Sequence, residues 1–382
     1  MLYQPSLRFE LNVPEYNKLL VNPDYDECAF YGFVGNEAAV RRLSRVAFLA
    51  LGREDHQCSD FSFALLGPAS TGKTTLAERF AKCLGLPFVK IQPKSVTRVN
   101  DILVRAAEAC ESQGLELMRD GEEVSHFRSD ARFITEAWSG GNPPDIWLPP
   151  MIIFLDEVHA LKDSVVQGLL TAIESKDRLM QAVNDVGQQW SVDCSRVCWM
   201  IATTERGQLF GPFDSRFVKI HLDYYSRSQI AEIINKTHPD WDKRTCEFVS
   251  QYAGHIPREA LDFAGEVKME QEMSGDTWSA VIKRVADDRG IDAKTGLTRT
   301  RLKIITELAQ GPISKNRIGM EARCEQEELE RFVMPVLLSD MSGEPALVAV
   351  SNKGYCLTRE GLAFCIKHGI PNKGEEALPN GS

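Results

Sequence analysis

Residues Gly67-Pro68-Ala69-Ser70-Thr71-Gly72-Lys73-Thr74-Thr75 form a loop of the type G-x-x-x-x-G-K-T, and the sequence on either side of it decides the fold. Phe61 to Leu66 (Phe-Ser-Phe-Ala-Leu-Leu) has the length and composition of a buried parallel strand, and Thr75 to Leu84 repeats apolar residues at helical spacing. Strand, glycine-rich loop and helix in that order make a phosphate-binding loop for ATP or GTP. Glycines at 67 and 72 allow backbone conformations that point several N–H groups at a β-phosphate, and the helix N-terminus adds its positive dipole end. Lys73 is then set to reach the β/γ oxygens and the Thr74 hydroxyl to hold Mg²⁺. The plainer alternative, a Gly-Pro turn leading into a helix, leaves the flanking strand unexplained.

Further along, Met151 to Leu155 (Met-Ile-Ile-Phe-Leu) is a continuous apolar run that ends in Asp156-Glu157-Val158-His159. A doubly buried strand that terminates in Asp-Glu fits the second half of a nucleotide site. Asp156 would orient Mg²⁺, and Glu157 would polarise the attacking water. Alone, Asp156 could equally be an N-cap. Val197 to Ala202 is another apolar strand, and it delivers Thr203-Thr204 to the open edge of the sheet, where a hydroxyl can sense a γ-phosphate. Arg216 follows on a loop, either as a finger completing a neighbouring subunit's site or as an ordinary surface arginine.

The whole chain bounds these readings. Its 382 residues exceed one hydrophobic core, and 43% hydrophobic with 26% charged residues is ordinary globular composition. No stretch reaches the roughly 20 apolar residues of a membrane span, and the start lacks a secretory segment, so a cytoplasmic location without membrane contact is expected. The ten cysteines show no zinc spacing. A net charge of −10 argues against a protein that coats DNA throughout but leaves local basic surfaces open.

The order of these motifs, continued through Thr203-Thr204, Ser215-Arg216-Phe217 and Ile256-Pro257-Arg258, resembles AAA+ ATPases and within them the RuvB family of branch-migration motors. Phe33-Val34-Gly35-Asn36-Glu37 is similar to the family's segment beside the adenine, and Leu222 to Ile234 to the start of its helical lid. The resemblance implies an α/β fold: an AAA+ P-loop core, a parallel sheet with helices on both faces, followed by a helical lid and a C-terminal winged helix. It implies ATP and Mg²⁺ as ligands and a homo-oligomeric ring, a hexamer, acting on duplex or branched DNA. By position, Gly67, Pro68, Ala69, Ser70, Thr71, Gly72, Lys73, Thr74 and Thr75 cradle phosphate. Thr74 and Asp156 hold metal, Glu157 serves water and Thr204 is the first sensor. Arg216 is the finger acting in trans, and Arg258 the second sensor in its own subunit. Val34, Gly35, Tyr225 and Ile230 are candidates for the adenine pocket, or else plain core.

The expected domains are 1–223 for the ATPase core, 224–295 for the lid, 296–370 for the winged helix and 371–382 for a flexible tail. Amphipathic helices fill the lid, with Ser226 and Pro257 near helix starts. In the winged helix three helices precede Ala346 to Val350, the turn Ser351-Asn352-Lys353-Gly354 and Tyr355 to Thr358. Its third helix carries Glu325, Glu327, Glu328 and Glu330, which speaks against base readout. Lys353, at the wing tip, either holds the duplex backbone or is a solvated hairpin lysine.

Two features depart from the family. Asp156 follows Lys73 by 83 positions, and the surplus falls at about 110–149, an insertion that either grips substrate or decorates the core. Residues 179–192 read as a hairpin; the resemblance implies that it docks on a partner protein through Val183, Val186 and Trp190, while sheet packing explains Trp190 equally well. The expected activity is a DNA-remodelling motor. The alternatives are an ATP-dependent switch or loader without translocation, or a remodeller of protein substrates.

Overall fold

The computed structural model describes residues 30, 33–51, 61–112, 118–119, 122–123, 146–148, 150–173, 178–183, 189–204, 211, 215–338 and 345–372. The chain divides into two compact units, Met1–Leu222 and Asp223–Ser382.

In the first unit the strands are, in chain order, β1 (Phe63–Leu66), β2 (Phe88–Ile91), β3 (Met118–Arg119), β4 (Glu122–Glu123) and β5 (Ile146–Trp147). They continue with β6 (Met151–Asp156), β7 (Leu179–Val183), β8 (Gln189–Asp193), β9 (Val197–Thr203) and β10 (Val218–His221). Five of them form a parallel sheet in the order β10-β1-β9-β6-β2. Its apolar strands are buried on both faces, and the period of two sorts them into two cores. Phe63, Leu65, Ile152, Phe154, Cys198 and Met200 face the helices α1 (Glu37–Leu51) and α2 (Lys73–Leu84). Ala64, Leu66, Ile153, Leu155, Trp199 and Ile201 face α3 (Val99–Ser112) and α4 (Asp163–Ile173).

The two features that set the sequence apart, the segment at about 110–149 and the hairpin at 179–192, contribute to one second sheet, ordered β4-β3-β5-β8-β7. Pairing of β7 with β8 is antiparallel and of β5 with β8 parallel. Met180 and Val192 anchor this sheet in the core that also holds α3 and α4. The hairpin turn at 184–188 and the side chains of Val183, Val186 and Trp190 lie outside the described residues.

The second unit begins with α5 (Arg227–Thr237), α6 (Lys243–Ser250), α7 (Pro257–Ser274) and α8 (Trp278–Asp288), packed around Ile230, Ile234, Trp241, Phe263, Val281 and Val285. Ser226 starts α5 with a capping box closed by Gln229, and Asp242 caps α6 through the Thr245 N–H at 2.8 Å. Next come α9 (Arg299–Leu308) and α10 (Lys315–Ala322), then a helical stretch that runs α11 (Gln326–Glu328), a π-turn at Leu329–Val333, and α12 (Met334–Leu338). The hairpin β11 (Val348–Ser351) and β12 (Gly354–Leu357) follows, with Ile313 bridging to Tyr355 as a third short strand, and α13 (Arg359–His368) ends the unit. This is a winged-helix arrangement with a helix after the wing. Tyr224 packs with Val336 and Ile256, joining the four-helix part to the winged part. No helix among the described residues is long and apolar enough to cross a membrane.

Gly354 is what lets the wing close on Ile313. Its φ is 113°, and a Cβ placed there would lie 2.2 Å from the Ile313 carbonyl oxygen. Gly354→Ala is therefore expected to lower stability by roughly 1–3 kcal/mol, as overpacking against backbone does. Asn352→Ala, on the exposed side of the same turn, should stay within about 0.5 kcal/mol. Urea unfolding followed by circular dichroism measures both.

Candidate functional site

The phosphate loop starts where three strands finish together. The Gly67 N–H reaches the Thr203 carbonyl at 3.3 Å, and the Leu222 N–H donates to the Leu66 carbonyl at 2.8 Å. A Cβ on Gly67 would meet the Leu222 carbonyl oxygen at 2.4 Å, so only glycine fits. Ser70 and Gly72 adopt left-handed conformations, φ 58° and 90°, and the buried Thr71 hydroxyl donates to the Pro68 carbonyl at 2.9 Å. These turns leave Gly72 as N-cap of α2, whose first turn holds Lys73, Thr74 and Thr75; Ala69 and Thr75 are exposed. The loop's backbone N–H groups and the helix dipole together suit a phosphate.

Lys73 is almost fully buried, and its ammonium donates to the carbonyls of Gly67 (2.9 Å) and Pro68 (2.7 Å). Burial pulls its pKa below the ordinary lysine value, while the charges of Glu157 and Asp156 oppose that shift. The lysine thus stands within the field of both carboxylates and turned onto its own loop, ready to exchange those carbonyls for phosphate oxygens.

Asp156 ends β6 beside the loop. Its Oδ2 accepts from the Thr74 hydroxyl at 3.1 Å and lies 3.3 Å from the Lys90 ammonium on β2. Two hard oxygen donors this close, from an ionised carboxylate and a hydroxyl, match the preference of Mg²⁺ for a few protein oxygens completed by water and phosphate. Among the described residues no group of three His, Cys, Asp or Glu forms a dedicated metal cluster, so a cation here would share its coordination with substrate.

Glu157 occupies the left-handed region, φ 59° and ψ 54°, an unfavourable setting for a non-glycine residue. Its Oε2 accepts from both the backbone N–H and the hydroxyl of Thr204, each at 3.2 Å, and lies 3.3 Å from His159 Nδ1. That same ring nitrogen is 3.0 Å from the fully buried Thr203 hydroxyl. The carboxylate is held by the end of β9, and a water beside it would be polarised only once this clasp adjusts. Sequence reasoning missed Lys90 and His159. The signal for Lys90 was present, a lone charge within the apolar run Phe88-Val89-Lys90-Ile91.

The remaining candidates are distributed differently. Val34 and Gly35 are buried just ahead of α1, with Gly35 at φ 72°. Arg216 is half-buried next to the buried Phe217 at the start of β10; residues 205–210 and 212–214 on its loop lie outside the described residues. Tyr225, Ile230 and Arg258 belong to the second unit. Tyr225 and Ile230 are packed into its four-helix core, and Arg258 is exposed in the first turn of α7.

Residues 63–224 match the model of the ATPase family associated with various cellular activities (AAA). The fold is similar to that of the Thermotoga maritima RuvB Holliday junction branch migration motor, with a TM-score of 0.56 and 20% identity over 87% of this chain and 94% of that one. A lysine-to-arginine variant of the Thermotoga maritima RuvB aligns at a TM-score of 0.59 and 20% identity, over 89% and 97%. The ATP-dependent protease ATPase subunit HslU of Desulfovibrio desulfuricans is 29% identical over 116 residues, which are 28% of this chain and 26% of that relative. Residues 63–224 thus match the AAA family model, and the chain is similar to RuvB in fold.

The Thr204–Glu157 pairing gives a direct test. Thr204→Val keeps the side-chain shape but removes the hydroxyl, and is expected to leave ATP affinity within about twofold while slowing turnover by roughly 10²-fold, at the low end of general-base effects. Fluorescent-nucleotide binding and phosphate release measure the two quantities.

Proposed function

We propose that this AAA ATPase, RuvB-like in fold, assembles into a homo-oligomeric ring, a hexamer, and couples ATP hydrolysis to movement along or remodelling of duplex or branched DNA. The observation that supports the reading is the architecture over most of the chain: its P-loop core, four-helix part and winged helix align in fold with a Holliday junction branch migration motor over 87% of this chain and 94% of that one.

In this reading the phosphate loop and Lys73 hold the β- and γ-phosphates of ATP, and Thr74 with Asp156 holds Mg²⁺. The bound metal and phosphates supply the electrophilic centre of a phosphoryl transfer. Lys90 then releases Asp156, and Glu157 accepts the proton of the attacking water. Thr204 and His159 orient that carboxylate, and Thr204 senses the γ-phosphate. Arg216 reaches a neighbouring subunit's nucleotide, and Arg258 reads the nucleotide of its own. Val34 and Gly35 border the adenine. Tyr225 and Ile230 shape the lid from within its core, so their effect on adenine is through packing. The 179–192 hairpin offers a partner protein a docking edge.

The wing supports DNA contact through Lys353, exposed at the tip of the β11–β12 turn. Tyr355 is buried beneath Lys315, whose ammonium lies 5.9 Å from the ring centroid, so Tyr355 is a core residue of the wing. A second reading, an ATP-dependent switch or loader that binds a protein or DNA without translocating, is favoured by the exposed Glu325, Glu328 and Glu330 beside the π-turn and by the net charge of −10.

The test is ATP hydrolysis and strand displacement measured with four-way junctions, linear duplex and no DNA. Stimulation by DNA together with branch migration supports the motor; DNA binding without displacement supports the switch, and hydrolysis indifferent to every DNA overturns the first reading. Arg216→Ala should abolish turnover and keep nucleotide binding. Lys353→Glu should weaken duplex binding and reduce the slope of log K against log salt by about one, as loss of one phosphate contact does.

A further inference from the structure

Within the second unit, four segments line a cavity of about 410 Å³ that lies outside the nucleotide site, and three of them carry basic side chains. The first turn of α5 contributes Arg227, the loop between α8 and α9 contributes Lys294, and the last turn of α13 contributes Lys367 and His368. Glu247 is the carboxylate on its wall, and it pairs with Lys243 one turn earlier on α6 at 3.9 Å. Neither Lys294 nor Lys367 forms an ion pair among the described residues. Basic side chains thus outnumber the one carboxylate on the wall, with the Asp292 carboxylate close enough to His368 to interact with it.

Simple helix electrostatics accounts for part of this arrangement and leaves the rest. Lys367 and His368 oppose the negative dipole end of their own helix. Arg227 does the reverse, since it sits in the first turn of α5, where the dipole already favours an anion. Lys294 comes from a loop without a dipole to balance. Burial, Lys367, Lys294 and Arg227 together hold the His368 imidazole below its ordinary value, although the Lys294 backbone hydrogen bond works the other way. Cations are thus gathered from three elements at a cost to each other.

The wall that carries Lys294 is also fixed in shape. Asp292 accepts from the Thr295 N–H and hydroxyl at 2.8 and 2.6 Å, and the Tyr252 hydroxyl donates to the Ala293 carbonyl at 2.9 Å. Gly296, at φ 71°, lies so close to the Gln251 carbonyl that a Cβ would approach it to 2.4 Å. A rigid loop presents its lysine to a ligand with little ordering cost.

We propose that this cavity is a phosphate-binding site, with Arg227, Lys294 and Lys367 as its cationic wall and the His368 imidazole as a further N–H donor, taking the phosphates of a nucleic-acid backbone or of a small polyphosphate. Phosphate suits the set because several cationic N–H donors converge on one small space, and each charge-assisted bond to a phosphate oxygen offsets repulsion among them. The site is independent of translocation and of the wing-tip lysine.

The test uses the full chain with Lys73→Ala, which disarms the phosphate loop, and follows the His368 imidazole by NMR, its signal assigned with His368→Gln. Inorganic pyrophosphate and a short DNA duplex are titrated separately. A saturable shift of the His368 signal is expected with at least one probe, and combining Lys294→Ala with Lys367→Ala should weaken it by about tenfold or more, the loss of two charge-assisted contacts. Both lysines are exposed, so the fold survives their truncation, and an unchanged thermal midpoint verifies it. A shift with pyrophosphate alone identifies a small polyphosphate, a shift with duplex alone identifies a nucleic-acid backbone, and both together identify a site that reads phosphate from either source. A His368 signal moved by neither probe, or equal binding in the double variant, overturns the proposal.

Discussion

The close approach of the Gly67 backbone to the Leu222 carbonyl is the constraint on which the nucleotide site rests. The Leu222 N–H donates to the Leu66 carbonyl, so β1 and the residue that ends the first unit are locked in register where the phosphate loop begins. With β9 delivering Thr203 to the other side of Gly67, the loop is gripped between two strand ends before it turns. The left-handed residues Ser70 and Gly72 can then spend their strain on aiming N–H groups, because the loop's starting point cannot move. Parallel pairing is what makes this possible, since it collects the carboxyl ends of β1, β9 and β6 on one edge.

A second constraint is electrostatic. Lys73 is buried where its charge alone is disfavoured, and the charges of Glu157 and Asp156 oppose that effect. Each charged group there has a provisional partner: loop carbonyls for Lys73, Lys90 and Thr74 for Asp156, and Thr204 with the His159 ring for Glu157. These partners are all groups that a phosphate, a cation or a water would replace. The site is thereby kept satisfied but exchangeable, and its left-handed Glu157 is the residue whose backbone strain such an exchange would redistribute.

What was legible in the sequence follows from the range of the interactions involved. The apolar runs at 61–66, 151–155 and 197–202 read as strands because burial on both faces needs no alternation, and the glycine loop read as a phosphate site because its signal is contiguous. The second sheet was not legible as a unit: β3, β4 and β5 are two-residue strands, too short for any period, and the pairings β3–β5 and β5–β8 join residues far apart along the chain. The helix α13 was not read from the sequence, and it contains Gly361 in its first turn. In the fold that glycine is required, because a Cβ there would come within 2.1 Å of the Leu347 carbonyl oxygen. The π-turn inside the segment expected as a single helix at 326–338 left no mark, since one extra residue in a turn barely changes the apolar spacing.

The winged part shows why charge had to be located before it could be interpreted. Its third helical segment turns acidic residues outward, and the tyrosine at the wing serves the core, so the wing's positive surface is narrow. The convergence of Arg227, Lys294, Lys367 and His368 falls elsewhere, at the junction between the four-helix part and the C-terminal helix. No run of basic residues in the sequence announces it, because its basic residues come from three separate segments and the cavity exists only once α5, α6, the 293–296 loop and α13 have packed. An acidic chain can therefore carry a concentrated positive site, and its net charge says little about where a phosphate would bind.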